Sequence, residues 1–186
     1  MESGAISIDE YLDSDVEQRF DFLYKNFSVL KAIIKDYREE IITDVIEMKS
    51  YNRRSTNEEL GIRVQVSLGI SNPTMNQAIN HITIAQAIDD GYLDEDFFED
   101  TDNPDFLVKR VTIYHRLNID YQSFSSKLET LEPKERRIIK EYLLKEKSLE
   151  ELSRELGINY QSVIKRLRRI KQKLINRLEP RLRRGA

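Results

Sequence analysis

Apolar residues recur at steps of three and four through most of this chain, and the first long series is Val16, Phe20, Leu23, Phe27, Leu30, Ile34, Tyr37, Ile41, Val45 and Met48. That spacing predicts one long helix or a helical hairpin, opened by a capping box from Ser14 to Glu17. A single helix of about 35 residues would span on the order of 50 Å, more than a small core needs. Phe22, Val29, Ile33, Ile42 and Ile46 widen the stripe. Two uses stay open for it: burial in the chain's own core, or a homodimer formed through residues 16–48.

The period lapses from Ser50 to Glu59, among Asn52, Arg53, Arg54, Ser55, Thr56 and Asn57, which predicts a loop. Ile62 to Leu68 then alternates apolar and polar side chains between Gly61 and Gly69, the pattern of one short strand. It would pair with its copy in another chain or lie extended on helices. Ser71-Asn-Pro-Thr starts the next helix with Pro73 in its first position, and Met75, Ile79, Ile82 and Ala85 to Ile88 give it an apolar side before Gly91. A further helix starts at Asn103-Pro104 and reaches about Leu117, with Phe106, Val108, Val111, Tyr114 and Leu117 for burial. Helical spacing resumes over Asp120 to Leu131, and Ser123, Ser125 and Ser126 suggest a flexible joint there.

From Leu131 the pattern tightens. Pro133 opens a helix whose apolar side is Ile138, Ile139, Tyr142 and Leu143. Ser148 and Glu151 form a second capping box, ahead of Leu149, Leu152 and Leu156. Gly157 suits a left-handed turn, Ile158 plugs it, and Asn159 caps a last helix carrying Val163, Leu167, Ile170 and Leu174. Two short helices around a glycine turn are the layout of a helix-turn-helix. The last helix, 159–175, keeps polar and basic residues on its other sides, as a helix that reads the major groove must.

Charge sharpens this picture. The chain of 186 residues carries a net charge of −3, but Met1 to Pro133 holds 13 basic and 26 acidic side chains, net −13, and Lys134 to Ala186 holds 17 and 7, net +10. Only the C-terminal part suits a polyanion. The expected organisation is therefore an acidic helical domain over 1–130, with a self-association or regulatory role, and a basic DNA-binding domain over 131–186. Within the latter, Gln161 and Arg166 are the candidate base readers, because glutamine pairs with adenine and arginine with guanine. Lys165, Arg168, Arg169, Lys171 and Lys173 are expected at phosphates or water, Arg154 at the backbone, and Asn159, Tyr160 and Ser162 at the start of the reading helix.

Other chemistry is poorly supplied. No cysteine is present, which removes thiolate metal sites and cysteine nucleophiles and favours an intracellular protein. No apolar run approaches a membrane span, and the N-terminus lacks the order of a signal peptide, so a soluble cytoplasmic location is expected, without membrane contact. His81 and His115 have no metal-binding neighbours in sequence. Asp89 to Asp105 contains nine acidic residues and no basic one. It lacks a calcium loop's spacing, since Phe98 and Pro104 occupy decisive places. Such a run is most simply a solvated loop, and two sharper roles are a paired-carboxylate site or a contact with the basic module when DNA is absent. No nucleotide-binding loop or nucleophile constellation appears; neither enzyme activity nor a cofactor is expected.

Leu131-Glu-Pro-Lys-Glu-Arg-Arg-Ile-Ile, Ser148-Leu-Glu-Glu-Leu-Ser-Arg-Glu-Leu-Gly and Ser162-Val-Ile-Lys-Arg-Leu-Arg-Arg-Ile-Lys-Gln-Lys-Leu resemble region 4, the promoter-recognising domain of bacterial sigma factors. The resemblance implies that Tyr160 to Arg169 lies in the major groove of promoter DNA and that another face touches RNA polymerase. Met1 to Thr130 lacks the aromatic-rich sigma region that melts a start site. Leu60-Gly-Ile-Arg-Val-Gln-Val-Ser-Leu-Gly-Ile-Ser-Asn-Pro-Thr, followed by helices and a sigma-like tail, is similar to phage and prophage late-gene activators of the ArpU and RinA type. The fold expected is mainly α: an N-terminal helical domain with at most one short strand, plus a C-terminal sigma region 4-like helix-turn-helix. The function expected is sequence-specific transcriptional regulation, with a DNA-packaging component such as a small terminase subunit, or a polymerase-binding sigma-like adaptor, as alternatives.

Overall fold

The computed structural model describes residues 6–59, 73–93, 95–98 and 101–183. The elements among them are all helices: α1 (Val16–Asn26), α2 (Leu30–Glu59), α3 (Pro73–Asp90), α4 (Glu95–Phe98), α5 (Pro104–Glu129), α6 (Pro133–Leu143), α7 (Leu149–Leu156) and α8 (Tyr160–Arg183). The mainly α class is as expected. The strand expected over 62–68 lies outside the described residues. No helix among the described residues is long and apolar enough to cross a membrane.

The chain forms two compact units, one of Met1–Ile34 with Arg116–Ala186 and one of Lys35–His115. This division follows compactness, whereas the expected border at 130/131 follows charge. In the first unit α1 packs on α8, as α6 and α7 do. The helix-turn-helix is thus completed by a helix more than a hundred residues earlier in the chain.

The second unit buries Tyr37, Ile41, Ile42 and Val45 of α2, Ile84 and Ile88 of α3, and Leu107, Val111 and Ile113 of α5. Arg38 forks onto Asp89, donating from Nε at 2.6 Å and Nη2 at 2.5 Å, while the Tyr114 hydroxyl donates to the same carboxylate at 3.0 Å. The guanidinium holds Asp89 below the usual carboxylate range. His115 Nε2 lies 2.7 Å from the Ile88 carbonyl, beside the left-handed Gly91 (φ 67°) that ends α3. Arg110 bonds Glu40 and Asp44 and stacks 4.8 Å over the Tyr37 ring.

The structure corrects several local expectations. The capping box of α1 sits one residue later than expected, on Asp15 and Gln18, because Ser14 instead donates its hydroxyl to the Glu10 carbonyl at 2.7 Å. A turn at residues 27–29 separates α1 from α2. Helix α2 persists to Glu59 through the polar stretch expected as a loop; that stretch contains neither glycine nor proline, so losing the apolar stripe removed the burial signal without breaking the helix. Helix α5 is continuous from Pro104 to Glu129, and the serine-rich joint is absent: Ser123 turns its hydroxyl back onto the Ile119 carbonyl at 2.8 Å. Ile82, Phe106 and Val108, expected in cores, are exposed, and Ile84, Leu107 and Ile113 are buried instead. Of the stripe over residues 16–48, Phe20, Leu23, Leu30, Ile34, Tyr37, Ile41, Ile42 and Val45 are buried within the chain, Val16, Phe22, Phe27, Ile33, Ile46 and Met48 are half-buried, and Val29 is exposed.

In the first unit, Phe124 of α5 packs against Phe20 and Phe27 at 5.7 and 5.3 Å between ring centroids. Below them lies Asp120, with 0% exposure, accepting from Arg116 Nε at 2.8 Å and from the Tyr11 hydroxyl at 3.1 Å. Burial raises the Asp120 pKa, and the attraction of Arg116 together with both hydrogen bonds offsets this only in part. A carboxyl whose pKa rises on folding adds stability at low pH and loses it as pH climbs through the folded value. Urea melts of wild type and Asp120→Asn from pH 7 to pH 4 should therefore show the stability difference moving in favour of wild type as pH falls.

Candidate nucleic-acid interface

Three caps set the geometry at the start of α8. Ser148 Oγ accepts from the Glu151 amide at 3.3 Å while Glu151 Oε2 accepts from the Ser148 amide at 2.7 Å, so the expected capping box of α7 is formed. That amide holds the Glu151 carboxyl below its usual range. Gly157 ends α7 at φ 63°, ψ 28°, the left-handed conformation foreseen for it. Ser153 bridges the turn, its hydroxyl donating to the Ile158 carbonyl at 2.6 Å and its own carbonyl accepting the Ile158 amide at 3.2 Å. Asn159 Oδ1 then accepts the Ser162 amide at 2.8 Å and starts α8.

Around this turn, surface charges clamp α6 to α7. Arg137 and Lys147 both bond Glu141 and Glu155. Their hydrogen bonds outweigh the desolvation that would raise Glu141 and leave its carboxyl below normal. These two cations are engaged within the protein.

One side of α8 is buried throughout: Val163, Leu167, Ile170, Leu174, Leu178 and Leu182. At about 100° per residue, Gln161, Lys165, Arg168 and Gln172 fall on the opposite side, with Arg169 at its edge. Arg166 lies about 140° around the helix from Gln161. The two expected base readers are therefore not brought together, and Lys165 and Arg168 stand beside Gln161 instead. Tyr160 is half exposed next to the cap, at 40%.

The cations of α8 divide along its length. Lys165, Arg166, Arg168 and Arg169 are exposed and, like Arg154 on α7, make no salt bridge among the described residues. Beyond Ile170, Lys171 and Lys173 meet carboxylates of the protein. Lys171 bonds Asp21 of α1 at 2.6 Å and lies 5.2 Å over the Tyr24 ring. Lys173 bonds Glu135 at 2.5 Å, and Arg177 donates to the Thr130 hydroxyl at 2.9 Å. Lys171 and Lys173, expected at phosphates or water, are thus tied to the protein's own carboxylates. The last helix, expected to stop at 175, runs on to Arg183 and buries Leu178 and Leu182 as well, and steps of four from Leu174 carried that signal.

Residues 121–174 match the family model described as Sigma-70, region 4. No curated protein and no solved structure matches the chain. The matched segment covers the helix-turn-helix and the last third of α5, and α1 and the last turns of α8 lie outside it.

The turn supplies a direct test. A Cβ at Gly157 would meet nothing within 4 Å, so its conformation alone is at stake. Gly157→Ala should cost about 1 kcal/mol in denaturant melts, and Gly157→Asn less, because asparagine tolerates the left-handed region.

Proposed function

We propose that this protein is a sequence-specific, sigma-like transcription regulator that lays the first turns of α8 in the major groove of promoter DNA. The observation that carries this reading is the contrast along α8 between Lys165, Arg166, Arg168 and Arg169, which face solvent with no salt bridge among the described residues, and Lys171 and Lys173, which are paired with Asp21 and Glu135. An interface for a polyanion needs charge that is not already compensated. The sigma region 4 match over the same residues supports it.

In this reading Gln161, Lys165 and Arg168 form the row that meets base edges, with glutamine suited to adenine and the cations to guanine. Arg154, Arg166 and Arg169 meet phosphates on either side, and Asn159, Tyr160 and Ser162 bring the start of α8 against the backbone. Contact with RNA polymerase, and a role as a late-gene activator of a phage or prophage, rest on the two resemblances. Stimulation of transcription by purified polymerase from a promoter carrying the selected site tests both.

Binding measurements separate the roles. On a duplex selected from a randomised pool, Gln161→Ala should cost about 1–3 kcal/mol and relax the preference at one position. Arg169→Ala should weaken selected and scrambled duplexes alike and reduce the salt slope by about 1. Lys173→Ala should leave that slope unchanged.

A further inference from the structure

The end of α8 is held in an unusual way. Pro180 lies inside the helix, where it offers no amide to the carbonyl four residues earlier and weakens the last turn. That turn nevertheless persists to Arg183 with Leu178 and Leu182 at 0% exposure. Two guanidiniums receive it. Arg116 Nη2 donates to the Arg181 and Leu182 carbonyls, both at 3.0 Å, and Arg19 Nη1 donates to the Leu182 carbonyl at 3.3 Å. Cations at a helix C-terminus satisfy its unpaired carbonyls and oppose its dipole.

Both arginines are themselves fixed. Arg19 is 1% exposed and donates from Nε to the Ser14 carbonyl at 3.0 Å. Arg116 donates from Nε to Asp120, which also accepts from Tyr11. The socket is therefore built from the N-terminal segment and α5, and it grips α8 beyond the segment that matches sigma region 4.

We infer that Arg19 and Arg116 are positioning residues for DNA reading, a role that rests on the function proposed above. Leu182 stands about 21 residues from Gln161, or about 32 Å along the helix. A tilt of about 5° at the socket would move the reading end by about 3 Å, against the ~0.5 Å within which a recognition side chain must be held. The N-terminal helix thus acts on base discrimination without touching DNA.

The test uses the full chain with Arg19→Lys, Arg116→Lys and the pair. Lysine keeps the charge and loses the planar fork that reaches two carbonyls at once. Affinity is measured for the duplex that wild type selects from a randomised pool and for a scrambled duplex of equal length, beside the melting temperature. The pair should reduce the preference for the selected duplex about tenfold and change affinity for the scrambled one less than about twofold. The same variants are made with Pro180→Ala, which restores a helical amide and keeps the last turn folded should the lysines loosen it. There the melting temperature should recover and the lost discrimination should not. Unchanged discrimination, or a fall in both affinities that Pro180→Ala reverses together with the melting temperature, would overturn the positioning role. Wild type that prefers no duplex in the pool would instead remove the DNA-reading function itself, and this role with it.

Discussion

Burial of one side of α8 is the constraint on which the functional half of this protein depends. Six apolar side chains from Val163 to Leu182 run along that side, and each such side chain contributes about 1.5–3 kcal/mol when fully buried. The ridge holds the helix against α1, α6 and α7 and fixes which residues face outward. Gln161, Lys165 and Arg168 are presented because Val163, Leu167 and Ile170 are not free to be.

Electrostatics then divides the outward side. Lys165, Arg166, Arg168 and Arg169 in the first turns make no salt bridge among the described residues, and Lys171 and Lys173 meet Asp21 and Glu135. Exposed ion pairs stabilise a fold only slightly. Their effect here is rather to compensate Lys171 and Lys173 while the cations in the first turns of α8 keep their charge free. The Gly157 turn and the Ser148 and Asn159 caps fix where α7 ends and α8 begins.

Much of this was legible in the sequence. The capping box at Ser148, the left-handed Gly157 and the Asn159 cap form one short local grammar, and their geometry follows from residue types alone. The helix phase of α8 was equally readable through Leu174. Pairings between distant segments were not. Nothing local in Arg19, Arg116 or Asp120 says that they meet at the end of α8, because that socket joins residues more than a hundred positions apart. Short-range signals also misled where two starts were equally good, as at Ser14 and Asp15, and where polarity was taken for a loop, as in the last turns of α2. Gln161 and Arg166 were paired by chemistry alone, and only the helical angle separates them.

The absence of cysteine makes the central claim directly measurable, because one introduced thiol can carry a DNA-cleaving reagent at a chosen position. With Ser162→Cys labelled and the protein bound to its selected duplex, strand cuts are expected within the bound site, on the major-groove side. With Gln122→Cys on the exposed side of α5 labelled, no cuts are expected there. Cuts from position 122 and none from position 162 would contradict the account, since DNA would then lie on a different face of the protein.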